Sequence, residues 1–220
     1  MQPIDFLHLQ MKLEGISLDQ DHRLIPIYPD LEEFPLFLYA QLNNGKTVSH
    51  FATSLPTKLQ TDLEEQIPRV QFPNIQDVIA LFEQYNIPGK AGYFKTYRFP
   101  DRYQDVIKDD ARPYSKNDSR IQAFGFGGLA DTVYAVERDG AIVSACVSSR
   151  QDVSSAEAWV LTLPEQRGKG FGAAVVSRWA TEVFRAGLVP FYSHKIDNIP
   201  SARLANRLGW IPVFEEIVLE

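Results

Sequence analysis

Two segments of the chain have apolar, strand-like runs on both sides of a turn signal. The first segment covers residues 36–52 and contains an Asn-Gly pair, and the second covers residues 132–149 and contains an Asp-Gly pair. These dipeptides favour the two-residue turns of β-hairpins because both central positions need a positive φ. The sequence therefore predicts a β-hairpin in each segment.

Other segments have the residues and end signals of helices. The predicted helices cover residues 56–67, 74–86, 173–186 and 197–210. Pro56 opens the first and Gly187 follows the third, in keeping with the preference for proline at helix starts and glycine just past helix ends. Strands are predicted on either side of the last helix, at residues 188–194 and 211–219. Residues 90–120 are rich in turn-forming and polar residues, which predicts a linker or an active-site loop.

A glycine-rich loop joins an apolar, strand-like run to the helix at 173–186. The run ends at Pro164, and glycines follow at 168, 170 and 172. Glycine lets the backbone approach a ligand closely, and a helix N-terminus supplies free N–H groups with a partial positive charge. This loop therefore predicts a binding site for a pyrophosphate.

Three known types of glycine-rich loop could explain the pattern. A P-loop is excluded because Gly170, rather than a serine or threonine, follows Lys169. A dinucleotide fingerprint is disfavoured because the glycine spacing differs and no carboxylate lies about 20 residues on. The remaining pattern, Arg-x-x-Gly-x-Gly, is filled by Arg167, Gly170 and Gly172, and it resembles the coenzyme A loop of the GNAT superfamily of N-acetyltransferases. A plain tight connection between strand and helix is the alternative.

The order of the following elements extends the resemblance to about residues 130–215. It implies a mixed α+β fold, with a mostly antiparallel sheet flanked by helices. Residues 99–220 would form the acetyltransferase core, and residues 1–98 an N-terminal α/β extension that packs on it and shapes the acceptor pocket. GNAT sheets commonly end in a hairpin, but only one strand fits after Trp210. Either the last strand is absent or the N-terminal region supplies it.

The resemblance also implies which residues bind acetyl-CoA. The backbone of the predicted strand end would pair with the pantetheine arm, and the backbone amides of the loop would hold the pyrophosphate. Asn198 and Ser201 match family positions that often contact the arm, although residues of these types also begin helices without binding anything. The full set is Leu161, Thr162, Leu163, Arg167, Gly168, Lys169, Gly170, Phe171, Gly172, Asn198 and Ser201.

Glu157 is the candidate general base. Strand periodicity places it on one face with residues 159, 161 and 163, and histone-acetylating members of the family carry a catalytic glutamate at the corresponding place. An exposed strand-edge carboxylate is the alternative. In many members of the family, a tyrosine on the last helix is the candidate general acid, but this chain has Ala205 at that position. Tyr192 and His194 are therefore candidate general acids, against the alternative that both are structural.

These features predict an acyl-CoA-dependent N-acyltransferase. Acetyl would pass from acetyl-CoA to a primary amine of a small molecule or protein, by direct attack in a ternary complex. A donor with a bulkier acyl group than acetyl is an alternative that the sequence leaves open. The alternative is a catalytically inactive coenzyme A-binding sensor or scaffold module.

Composition narrows the partners. A net charge of −6 without a basic cluster argues against a nucleic-acid partner. A single cysteine fits a cytoplasmic protein, and the absence of long apolar stretches predicts no membrane association. The spacing of histidines, cysteines and acidic residues predicts no metal site. A homodimer is compatible with the sequence.

Overall fold

The computed structural model describes residues 1–31, 34–67, 72–100 and 110–220 of the 220-residue chain. The α-helices in these residues are α1 (Pro3–Leu13), α2 (Thr57–Gln66), α3 (Ile75–Gln84), α4 (Ser119–Ala123), α5 (Phe171–Arg185) and α6 (Ile199–Arg207). The strands are β1 (Ile16–Leu18), β2 (Leu24–Pro26), β3 (Phe37–Leu42), β4 (Thr47–Phe51), β5 (Ala91–Arg98), β6 (Arg112–Ser115), β7 (Thr132–Arg138), β8 (Ala141–Gln151), β9 (Ser155–Thr162), β10 (Val189–Lys195) and β11 (Ile211–Leu219).

The fold is α+β with mostly antiparallel strand pairing, which confirms the predicted class. The pairs β3–β4, β3–β11, β6–β7, β7–β8 and β8–β9 are antiparallel, whereas β9 and β10 run parallel. The chain packs as two compact units. One contains residues 1–96, 194–198 and 212–220, and the other contains residues 97–193 and 199–211. The functional division into residues 1–98 and 99–220 stays a prediction.

In the first unit, the strand order is β4, β3, β11, β5. The register of β11 against β3 runs from Phe214 opposite Leu42 to Leu219 opposite Phe37. Helices α2 and α3 contribute Leu59 and Phe82 to a buried cluster that includes Phe37 and Leu219. The N-terminal region therefore supplies the strand that pairs with the final strand, which settles the alternative that the sequence left open.

In the second unit, the strand order is β10, β9, β8, β7, β6. Helix α5 presents Val176 and Trp179 to a buried cluster that contains Ala156 and Ala158 of β9. A second cluster around Phe126, which follows α4, contains buried residues of β7 and β8. The residues of β9 on the α5 face are thus committed to core packing, whereas Trp159 and Leu161 on the opposite face remain partly exposed.

The segment 90–120 differs from its prediction as a linker or loop. It contains β5 and β6, while residues 101–109 lie outside the described residues. Strand β5 has a weak apolar pattern because part of its stabilisation is polar: Tyr93 Oη donates to Glu215, and Lys95 Nζ lies 2.7 Å from the same carboxylate. Hydrophobic alternation therefore does not predict this strand. No helix in the described residues is long and apolar enough to cross a membrane.

Candidate functional site

The loop between β9 and α5 presents a run of backbone amides without protein acceptors. Gly168 and Gly170 have φ values of +78° and +88°, which glycine adopts readily. In the described part of the chain, the amides of residues 168–173 donate to no acceptor, and Ala174 N makes the first helical bond, to Gly170 O at 3.1 Å. We call residues 168–173 the amide cradle. Convergent amides at a helix N-terminus favour an anion such as a pyrophosphate.

The residues around the amide cradle refine the predicted binding set. The amide of Arg167 donates to Pro164 O at 3.2 Å, so the cradle starts one residue later than predicted. A Cβ atom at Gly172 would lie 3.1 Å from Thr162 Oγ1, so glycine permits the close approach of α5 to β9. The side chains of Arg167 and Lys169 are exposed and make local contacts: Arg167 Nε donates to Thr162 O at 3.3 Å, and Lys169 Nζ donates to Gln166 Oε1 at 2.8 Å.

One edge of β9 is open in the second half of the strand. Strand β10 pairs with β9 only from Val189 opposite Ser155 to Phe191 opposite Glu157. Beyond that point, residues 158–162 keep β8 on one side and have no β10 partner in the described structure. An extended ligand could therefore pair with this edge as an added strand would.

Backbone alternation decides which residues face the open edge. Leu163 N donates to Val143 O at 3.0 Å, toward β8. Because successive residues of a strand direct their backbone groups to opposite edges, Leu161 also faces β8, whereas Val160 and Thr162 face the open edge. Val160 was missing from the predicted set. Its placement depends on strand register, which the sequence alone does not reveal.

Glu157 lies on the face of β9 opposite α5, at the last pair with β10. Its carboxylate accepts a hydrogen bond from Ser193 Oγ and lies 3.1 Å from Arg150 Nη1. The residue is 6% exposed, so the alternative of an exposed strand-edge carboxylate is excluded. Trp159 and Leu161, two and four residues on, are 44% and 37% exposed. Ser193 and Arg150 were not predicted from the sequence, since each reaches Glu157 from another strand.

Tyr192 lies on the opposite side of β10 from Ser193. It is buried in the α5 core cluster, 4.6 Å from Trp210 between ring centroids. Burial raises the pKa of Tyr192 to about 12, although a hydrogen bond with the side chain of Ser201 opposes the shift. The candidate base and this candidate acid therefore lie on opposite faces of the sheet. Ala205, where relatives carry a tyrosine, is fully buried in the same cluster.

Replacing Tyr192 with phenylalanine tests its predicted role as proton donor. A phenol with a pKa of about 12 is a weaker acid than a thiol, whose pKa is ~8.5, so proton transfer to a departing thiolate is unfavourable. We expect turnover to change less than about threefold and the free energy of unfolding to fall by about 1 kcal/mol, for the lost hydrogen bond. Steady-state kinetics and denaturant titration measure the two effects. A tenfold fall in turnover would support the acid role instead.

The first unit contains the other two predicted residues at the end of β10. His194 is buried, and its Nδ1 lies 2.7 Å from the backbone oxygen of Lys195. Asn198 is exposed, and its backbone N–H donates to the backbone oxygen of Lys195 at 2.9 Å, which closes a turn. These contacts account for a structural role, and the predicted functional roles of both residues stay predictions. Within the described ranges, no group of three or more histidine, cysteine or acidic residues could hold a metal ion.

Comparisons with solved structures agree with this architecture. An acetyltransferase of the GNAT family from Colwellia psychrerythraea superposes with a TM-score of 0.53 at 12% identity, covering 88% of this chain and 83% of that chain. A GCN5-related N-acetyltransferase from Sphaerobacter thermophilus gives 0.50 at 11%, over 90% and 79%. A GNAT-family protein from Novosphingobium aromaticivorans gives 0.51 at 18%, over 59% of this chain and 64% of that chain, less than two thirds of its length. At these identities the likeness establishes the fold.

The family comparison covers the part of the chain that contains the site. No match was found among curated proteins. The model of the GNAT acetyltransferase family matches residues 122–217, which include Glu157, the open edge of β9 and the amide cradle. Residues 122–217 of this chain are therefore a domain of the GNAT acetyltransferase family.

Proposed function

We propose that this protein is an acyl-CoA-dependent N-acyltransferase that transfers acetyl from acetyl-CoA to a primary amine by direct attack in a ternary complex. The observation that carries the proposal is the amide cradle, whose six consecutive free amides begin six residues after the end of a strand with an open edge. A ligand with a pyrophosphate and an extended amide-containing arm fits both features. Coenzyme A has this chemistry.

The carboxylate of Glu157 suits the acceptor half of the reaction. An alkylamine with a pKa of ~10.4 is neutral in only about one molecule per thousand at pH 7, so the attacking nitrogen must lose a proton. Glu157 would accept that proton before the nitrogen attacks the thioester carbonyl. As the new N–C bond forms and the C–S bond breaks, the nitrogen loses a second proton, which the departing thiolate takes up. Ser193 holds one carboxylate oxygen in place. No covalent enzyme intermediate and no metal ion are part of the proposal.

The proposal extends to partners and location. The acceptor is a small molecule or a protein amine, without nucleic acid or membrane involvement, and the protein acts in the cytoplasm. The net charge of −6 supports the proposal that nucleic acid is not a partner. Cys146 is fully buried and burial raises its pKa, so the thiol is unsuited to act as a nucleophile.

The direct test measures thiol release from acetyl-CoA in the presence of a panel of primary amines. Amine-dependent release, with the acetylated amine identified by mass spectrometry, is the expected result. Coenzyme A binding by calorimetry without release for any amine would instead identify the inactive sensor or scaffold module. Absence of both binding and release would refute the proposal and this alternative together.

The Glu157→Gln variant should lose about 10²-fold in turnover, because the amide cannot accept the proton that a general base removes. Its affinity for acetyl-CoA should stay within about twofold, since glutamine keeps the shape of the side chain and the amide cradle is unchanged. Steady-state kinetics and calorimetry measure the two quantities. The matched control is Glu182→Gln on α5, which removes a carboxylate paired with Arg178 and should leave both quantities unchanged. A fall of less than threefold in Glu157→Gln would mean that another group is the base.

A further inference from the structure

A β-bulge brings Arg150 to the side of Glu157. Strands β8 and β9 pair in register up to Ser148 opposite Ala158, and the register then shifts so that Arg150 lies opposite Glu157. Without the extra residue, Ser149 would face Glu157, and Arg150 would lie opposite Ala156 on the core face. Directly opposed residues of an antiparallel pair share a face. The bulge therefore places a permanent cation on the functional face, as bulges next to active sites often do.

The two partners differ in their access to solvent. The side chain of Glu157 is 8% exposed, whereas that of Arg150 is 50% exposed. Arg150 Nη1 lies 3.1 Å from Glu157 Oε2, longer than the ~2.7–2.9 Å of a tight charge-assisted hydrogen bond. A guanidinium has five N–H donors in a planar fork that suits a carboxylate. Arg150 can therefore contact a second carboxylate from the solvent side while it stays beside Glu157.

The local charges select among amine acceptors. An acceptor that enters as an ammonium ion is attracted by the carboxylate of Glu157. It is also repelled by the guanidinium of Arg150, which lies directly beside that carboxylate. The repulsion becomes an attraction when the acceptor carries an anionic group close to its amine. A carboxylate one carbon away from the nitrogen satisfies both side chains, because the Arg150 nitrogen and the Glu157 oxygen are themselves only 3.1 Å apart.

We propose that the acceptor is a free α-amino acid, whose carboxylate binds Arg150 while its amine is held beside Glu157. This inference rests on the proposed N-acyltransferase function and specifies its substrate class. Arg150 is then a specificity-determining residue. Polyamines, lysine side chains and simple alkylamines lack the adjacent carboxylate and are poor acceptors.

The experiment compares amino acids with their decarboxylated counterparts. Thiol release from acetyl-CoA is measured with glycine against methylamine, alanine against ethylamine, and phenylalanine against phenethylamine. We expect the wild-type protein to favour the amino acid by about thirtyfold or more in kcat/KM, because a charge-assisted pair is lost in each amine. The Arg150→Gln variant should lose this preference, mainly through a higher KM for the amino acid relative to that for the amine.

Two further variants separate specificity from a structural role. Arg150→Lys keeps the charge without the planar fork and should retain part of the preference. Arg178→Gln, which removes an α5 arginine paired with Glu182, should leave the preference intact. Thermal melting checks that each variant is folded. The preference ratio is unaffected by a general loss of active protein, because both substrates are measured on the same sample.

The possible outcomes separate the inference from the function on which it rests. The inference is overturned if the wild-type protein has equal kcat/KM values for amines and amino acids. It is also overturned if Arg150→Gln lowers kcat/KM for both kinds of acceptor to the same extent. In either case the N-acyltransferase function stands. If no acceptor of either kind promotes thiol release, the proposed function and the inference both fail.

Discussion

Replacing Gly170 with aspartate is expected to abolish coenzyme A binding while the protein stays folded. Gly170 has a φ of +88° and precedes the first residue of α5, in the middle of the amide cradle. Aspartate would add a negative charge where the free amides favour an anion, and like-charge contacts in a binding site cost several kcal/mol. We expect affinity to fall by at least about hundredfold in calorimetry, with an unchanged circular dichroism spectrum.

The control places the same side chain at a glycine of similar conformation. Gly187 has a φ of +77° just past the C-terminal end of α5, at the opposite end of this helix from the cradle, and a Cβ atom there would meet nothing within 4 Å. Gly187→Asp therefore introduces a comparable backbone strain, typically ~1–3 kcal/mol, about 20 Å from the cradle. Its affinity for coenzyme A should match that of the wild-type protein. If Gly170→Asp also binds normally, the cradle is not the pyrophosphate site.

A chain that starts at Gly89 is expected to be insoluble or to melt without cooperativity. The deletion removes β3, the antiparallel partner of β11, together with α2 and α3. It would expose Ile217 and Leu219 of β11, which are fully buried among residues of the deleted segment. An unpaired apolar strand is a template for aggregation. Soluble yield and a thermal melt compare this chain with the full-length protein.

A point variant tests the same packing without shortening the chain. Phe37 is fully buried, and its ring stacks on Phe51 with centroids 5.4 Å apart. Phe37→Ala should lower the free energy of unfolding by about 3–5 kcal/mol, as large-to-small changes in a core do. If the chain from Gly89 is instead soluble, melts sharply and keeps the parental rate of acetyl transfer, residues 1–88 form a separable module.

Most local elements were predictable because nearby residues determine them. Both hairpins, α2, α3 and the glycine loop before α5 were found from turn dipeptides, helix-end signals and apolar spacing. The helix α5 begins two residues earlier than predicted, within the ordinary uncertainty of helix ends. Helix α1 and strand β5 were missed. Strand β5 does not alternate regularly between apolar and polar residues, and polar contacts with β11 stabilise it.

The sequence by itself determined that a glycine-rich turn at residues 168–172 leads into helix α5, because glycine spacing and a following helix are local features. It also placed Glu157, Trp159 and Leu161 on one strand face, since side chains alternate along any strand. Only the tertiary structure decided that Arg150 and Ser193 reach Glu157, that Tyr192 is a core residue, and that β3 pairs with β11. Those contacts join residues distant in sequence, and a single bulge or a one-residue change of register would exchange the side chains involved.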